Sequence, residues 1–163
     1  MKDFQSRPGR LAALPFEARF VYSGFIVFAL LGLFSSLLLY DNSMGTSLAQ
    51  TAQYYLGDGS DLAVPKSYRT LLETTHFHLF TISVVWLILV HLYLLCHGNP
   101  ATKRFWAVTS FVAALGHIAA PWLVRYGGTG LSAWFAASGI LLFVSFFWIA
   151  VRPLWEMWGS ASR

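Results

Sequence analysis

Charge is what this chain has least of. Only 11% of its residues are charged, against ~25% in soluble domains, too few to cover a water-facing surface. Cysteine is nearly absent: the single Cys96 excludes an internal disulfide and the C-x-x-C-H attachment of a c-type haem. There is no Walker loop, no dinucleotide-binding glycine fingerprint, no G-x-S-x-G elbow and no H-E-x-x-H. Nucleotide-driven, hydride-transfer and hydrolytic chemistry on soluble substrates therefore lack their residues. Neither half of the chain repeats the other in motif or spacing.

What fills the chain is apolar. Hydrophobic residues make up 56% and aromatics 17%, gathered into runs at about Phe20 to Tyr40, Phe77 to Cys96, Phe105 to Val124 and Leu131 to Val151. Each run is long enough, at ~1.5 Å per residue, to cross a hydrocarbon core of ~30 Å. Backbone groups in lipid must be satisfied within their own segment, so each run is expected to be a helix. The sequence thus predicts an all-α, polytopic four-transmembrane-helix bundle over residues 1–163, with one extra piece, the loop 41–72. The first run is too long for a secretory signal and no A-x-A-like site follows it, so it reads as a retained anchor.

The net charge of +4 is a matter of location. Lys2, Arg7, Arg10 and Arg19 precede the first run, Lys103 and Arg104 separate the second from the third, and Arg152 and Arg163 follow the fourth. Only Lys66, Arg69 and Arg125 fall on the other side. By the positive-inside rule both termini are expected in the cytoplasm of a bacterial inner membrane, with the loop 41–72 outside. The basic surplus is spent on topology, and no nucleic-acid partner is indicated.

Local signals refine this frame. The segment LAALPFEARF, Leu11 to Phe20, is expected either to lie on the inner membrane surface or to be an ordinary leader. Thr46 to Leu56 has helical character and stops at Gly57. Asp58 to Asp61, DGSD, resembles a fragment of a calcium loop but suits a hydrated turn better. Ser67 is an N-cap candidate for a helix running unbroken into the second span. Small-residue seams at Ser110, Ala113, Gly116 and Ala120, and at Ala29, Gly32 and Ser36, are expected to face the bundle interior.

Intramembrane ionisable residues are where function is sought first. The stretch LLETTHFHLF carries Glu73, His76 and His78, and His91 and His117 lie deeper. At ~100° per residue, Glu73, His76 and His91 share one side of the helix while His78 points nearly opposite to His76. A b-type haem needs two neutral imidazoles from different helices, and the second of these must be His117. Taking each apolar run's centre as the midplane, the offsets in depth are ~9 Å for His78 with His117 and ~11 Å for His91 with His117. Other chemistries stay open: a metal ion held by His76 and His78 with His117 or a loop ligand, or a quinone exchanging protons with a histidine and Glu73 near Tyr54 or Tyr55. So does a bland one, in which the histidines hydrogen-bond between spans, His117 to Thr109, Ser110, Ser138 or another hydroxyl.

The run GDGSDLAVPKSYRTLLETTHFHLF, Gly57 to Phe80, resembles a segment of bacterial four-helix inner-membrane proteins in which Gly-Asp, Pro-Lys-Ser/Thr and Leu-Leu-Glu-x-Thr-His-Phe-His-Leu-Phe follow one another. The resemblance implies a four-span fold and brings no activity with it. A looser likeness to b-type cytochrome membrane subunits rests on histidines in a four-helix bundle. The expected function is a small membrane subunit or accessory protein of a redox chain, binding haem b, a metal ion or quinone near its outer face. Its expected partners are the lipid bilayer, other membrane redox subunits or a periplasmic electron carrier. The alternative is a non-redox structural or interaction protein.

Overall fold

The computed structural model describes residues 11–60 and 63–159. Its order is α1 (Phe16–Met44), α2 (Leu48–Leu56), α3 (Tyr68–Leu95), α4 (Pro100–Gly127), a single 3₁₀ turn (Thr129–Leu131) and α5 (Ser132–Gly159). Helices α1, α3, α4 and α5 are long and apolar enough to cross a membrane. At 28 or 29 residues each they reach ~42 Å, so a turn or more of each projects beyond the hydrocarbon.

The ends of these helices are written in short polar signals. Ser67 Oγ accepts the Thr70 amide at the start of α3, and Asn99 Oδ1 accepts the Ala101 amide at the start of α4 with Pro100 already in the first turn. Helix α2 opens on a reciprocal capping box between Ser47 and Gln50. It closes at Gly57, whose φ of 76° suits a residue without Cβ; a side chain there would also run into the Ala63 carbonyl. Asp58 closes a local turn. Its carboxylate accepts from the Ser60 hydroxyl and amide and from Gln53, while Asp61 lies outside the described residues.

Those bonds, the Ser60 hydroxyl's first, hold the Asp58 carboxyl below its ordinary pKa of 3.8. Because the folded value is the lower one, the turn's stabilisation is present above that ordinary value and is lost as pH falls through the depressed one. The expected result is a Ser60 amide whose hydrogen-exchange protection is flat from neutral pH to about pH 4 and falls below it. In Asp58→Asn that acid step disappears.

Packing divides the bundle by depth. One core, at the end that carries both chain termini, gathers Leu11, Ile26, Leu89, Tyr93, Phe146, Ile149 and Met157. A second, at the α2 end, gathers Tyr55, Leu71, Ala120, Val124 and Phe135, with Tyr40, Met44 and Trp122 against it. Helices α4 and α5 form the largest interface, and α3 packs on both; α1 leans on α5 and α2 and scarcely meets α3. The seam on α4 is where the sequence placed it: Ser110, Ala113 and Ala120 are buried, and Ser110 Oγ accepts the Trp86 indole N–H. The expected α1 seam holds only in part: Ala29 packs against the first core and Ser36, though exposed, borders a cavity between the two cores, while Gly32 is exposed with nothing beside it. The leader also differs from the expected surface segment: Leu11 is fully buried in the first core and α1 begins at Phe16.

The terminal end carries a buried carboxylate that the sequence reading passed over. Glu156 is only 3% exposed, its Oε2 accepts the His97 amide at 2.6 Å, and Arg152 donates to the His97 carbonyl. The pair clamps the α3–α4 turn onto α5. Removing the acceptor in Glu156→Ala leaves the part-buried His97 N–H without its charged partner and is expected to cost about 1 kcal/mol, whereas Glu156→Gln keeps an accepting oxygen and recovers most of it. Thermal melts of the two variants in detergent check this.

Candidate functional site

Between the two cores the bundle does not close. A cavity of ≈ 380 Å³ is lined by the last turns of α1 (Ser36, Tyr40, Met44), by Tyr54 and Tyr55 of α2, by Thr70, Thr74, Thr75 and His78 of α3, and by His117 and Pro121 of α4, with Phe135 of α5 at its side. Every described helix contributes. Helix α2 roofs the space: Tyr40 donates its hydroxyl hydrogen to Thr51 Oγ1 at 2.9 Å, since Thr51 donates its own to the Ser47 carbonyl. Tyr40 and Tyr55 both pack on the Phe135 ring, and the Lys66 amide donates to the Tyr55 carbonyl. Burial raises the Tyr55 phenol above its ordinary pKa, so it stays protonated at any physiological pH.

His78 and His117 meet here because their helices are level at this point. His78 lies three to four residues to the α2 side of the midpoint of α3, and His117 the same distance to the α2 side of the midpoint of α4. Each is therefore ~5 Å from its helix centre. The ~9 Å mismatch expected from the apolar runs came from starting the second span at Phe77, when the helix already begins at Tyr68.

The two rings are tied by the same atom, Nδ1. His78 Nδ1 lies 2.7 Å from the Thr74 carbonyl, which can only accept, so Nδ1 carries the hydrogen and Nε2 has a free lone pair. His117 Nδ1 lies 3.3 Å from Ser138 Oγ, whose hydrogen is committed to the Phe135 carbonyl at 3.0 Å. Ser138 therefore accepts from Nδ1, and His117 Nε2 is bare as well. Imidazoles that ligate metals are held in this way, their other nitrogen donating to a carbonyl or similar oxygen. Gly139 makes room for the ring of His117: a Cβ there would stand 3.2 Å from Cε1. Pro121, lacking an N–H, takes from the His117 carbonyl its usual partner within α4.

The other candidate residues lie apart. His76 is exposed with its ring edge on Phe80. Glu73 pairs with Arg69 at 2.7 Å on the exposed start of α3. His91 is exposed on the face of α3 turned from the bundle, near the terminal end. Among the described residues no three His, Cys, Asp or Glu side chains come together as metal ligands, so the expected metal set of His76, His78 and His117 is reduced to the last two. Tyr54 and Tyr55 stand where the quinone reading needed them. Tyr40, Thr74 and Ser138 were not singled out as parts of a site, although Ser138 was among the hydroxyls considered for His117.

A family model for a transmembrane helical domain matches residues 45–163. The chain belongs to that family. The match takes in α2 to α5, hence His78, His117, Tyr54, Tyr55 and Ser138, and begins where α1 ends. No curated protein and no solved structure matched the chain. This transmembrane helical domain is thus an integral, multi-pass membrane protein with an all-helical fold.

Proposed function

We propose that this protein is a small integral subunit or accessory protein of a bacterial electron-transfer chain, and that the cavity between its two cores holds a redox group. One observation carries the reading: two imidazoles from neighbouring helices, the exposed His78 and the half-buried His117, line one cavity, each with Nδ1 tied back and Nε2 free. A b-type haem, a transition-metal ion and a quinol all use bare imidazole nitrogens, the first two as ligands and the third as acceptors for its hydroxyls. Tyr54 and Tyr55 add phenol groups to the lining. Glu73 is paired with Arg69 outside the cavity and takes no part.

The direction in the membrane follows from charge. Arg19, Lys103, Arg104 and Arg152 lie at the terminal end, Lys66, Arg69 and Arg125 at the α2 end. Both termini are accordingly cytoplasmic in an inner membrane and the cavity opens toward the outer half, where a periplasmic electron carrier or another membrane subunit would meet it.

The structural reading has one observation in its favour, the His117 to Ser138 bond joining α4 to α5. It does not account for His78, whose Nδ1 binds a carbonyl of its own helix and ties no span to another. The test is the detergent-purified protein, examined by oxidised and reduced absorbance, elemental analysis and chromatography of its organic extract. A haem band, stoichiometric metal or retained quinone that disappears in His117→Ala supports the redox reading. A colourless, metal-free and quinone-free preparation with an intact fold overturns it.

A further inference from the structure

Below the histidine cavity, toward the membrane centre, a second concavity of ≈ 310 Å³ runs between α3 and α4, lined by Leu79, Ile82, Trp86, Phe111, Leu115 and Ile118 among others. Its lining is almost wholly apolar, and Leu79, Phe111 and Leu115 are exposed, so the groove faces lipid. Ile118 borders both spaces. On α3 the cavity ends at His78 and the groove begins at Leu79; on α4 His117 faces the cavity and the groove runs from Phe111 to Ile118. A cavity that carries polar groups thus adjoins an almost wholly apolar groove, the order in which a membrane-dissolved amphiphile carries its head and tail.

Resting on the redox reading, we propose that the occupant is an isoprenoid quinone in its reduced form, its hydroquinone head in the cavity and its tail in the α3–α4 groove. Charge selects a neutral head. Among the described residues the cavity lining holds no carboxylate and no guanidinium, and the one cation among them, Lys66, has its ammonium 4.0 Å over the Tyr54 ring. A phospholipid phosphate or a pair of haem propionates would call for fixed cations around it. Hydrogen-bond polarity then selects the oxidation state. Two bare Nε2 atoms are acceptors, which suit the two hydroxyls of a quinol and oppose the carbonyl lone pairs of a quinone. The rings of Tyr40, Tyr55 and Phe135 supply flat apolar surface for the head.

The experiment uses the full chain in detergent and two probes, trimethylhydroquinone with no tail and the same head bearing a decyl chain, each in reduced and oxidised form. Reduced probes are expected to bind roughly tenfold more tightly than oxidised ones, the effect of one or two misplaced acceptors. Leu115→Trp, on the exposed groove wall and outside the cavity lining, is expected to weaken the decyl quinol by about tenfold while leaving the tail-less head unchanged, as overfilling a fitted contact does. Leu87→Trp, on the exposed α3 wall of the groove, provides the same reading where Leu115→Trp disturbs the fold. Equal loss of both probes, no loss of either, or preference for the oxidised form overturns the proposal. A haem band or bound metal without quinol binding also overturns it while sparing the redox reading, and the absence of haem, metal and quinol overturns both.

Discussion

Removing both imidazoles, in His78→Ala/His117→Ala, is expected to abolish retention of the cavity's occupant, and each single replacement to weaken it by about ten- to a hundredfold. The magnitude follows from leaving a bound hydroxyl without its acceptor, ~1–3 kcal/mol per lost partner. The same substitution at His76 or His91 is expected to change nothing. One exposed ring stands against Phe80 and the other is turned from the bundle. The four single variants and the double are compared by titration with the decyl quinol. The two singles are also expected to differ in stability, because only His117 joins two spans: its loss frees Ser138 Oγ and costs about 1 kcal/mol, whereas the His78 bond lies within one helix.

The second large effect concerns the seam on which the cavity depends. Ala113 is 2% exposed on α4, one turn from His117, at the face where the small residues gather. Within lipid there is no hydrophobic gain in bringing helices together, so close backbone approach and packing carry the association. Ala113→Leu is therefore expected to cost about 1–3 kcal/mol by overpacking and to lower the thermal midpoint in detergent. Ala119→Leu adds the same volume on an exposed face of the same helix and is expected to be neutral. Matched melts of the two variants separate packing from any general effect of a larger side chain.

Much of the architecture was legible because each part of it has a local cause. Four apolar runs demand four helices in lipid, Ser67 caps α3 by its own side chain, and Gly57 ends α2 with a φ that other residues resist. The capping box of Ser47 and Gln50 was equally present in the sequence as S-x-x-Q and went unread. The α1 seam misled because small residues show where helices can approach and not whether a neighbour is there; only the tertiary arrangement leaves Gly32 uncovered.

The site was legible by residue type and not by partnership. His78 and His117 were both candidates, and the helical wheel had already set His78 apart from His76. Their common level was hidden because an apolar run marks hydrocarbon and not helix length: the polar first turns of α3, Tyr68 to His76, belong to the helix without belonging to the run. The roof of Tyr40, Thr51 and Tyr55 depends on α2 folding back over the bundle, a long-range outcome no spacing encodes. Glu156 had a usable signal, a lone carboxylate within LWEMW at the end of a span, which must find a donor if it is covered. It found the His97 amide.

The most direct test of this account is nitrogen-15 magnetic resonance of histidine-labelled protein in detergent, with the two signals assigned by His78→Ala and His117→Ala. Both neutral rings are expected to carry their hydrogen on Nδ1 and not on Nε2, and both Nε2 resonances are expected to move when reduced quinol is added. A hydrogen on Nε2 of either neutral ring, or two resonances indifferent to the quinol, would contradict it.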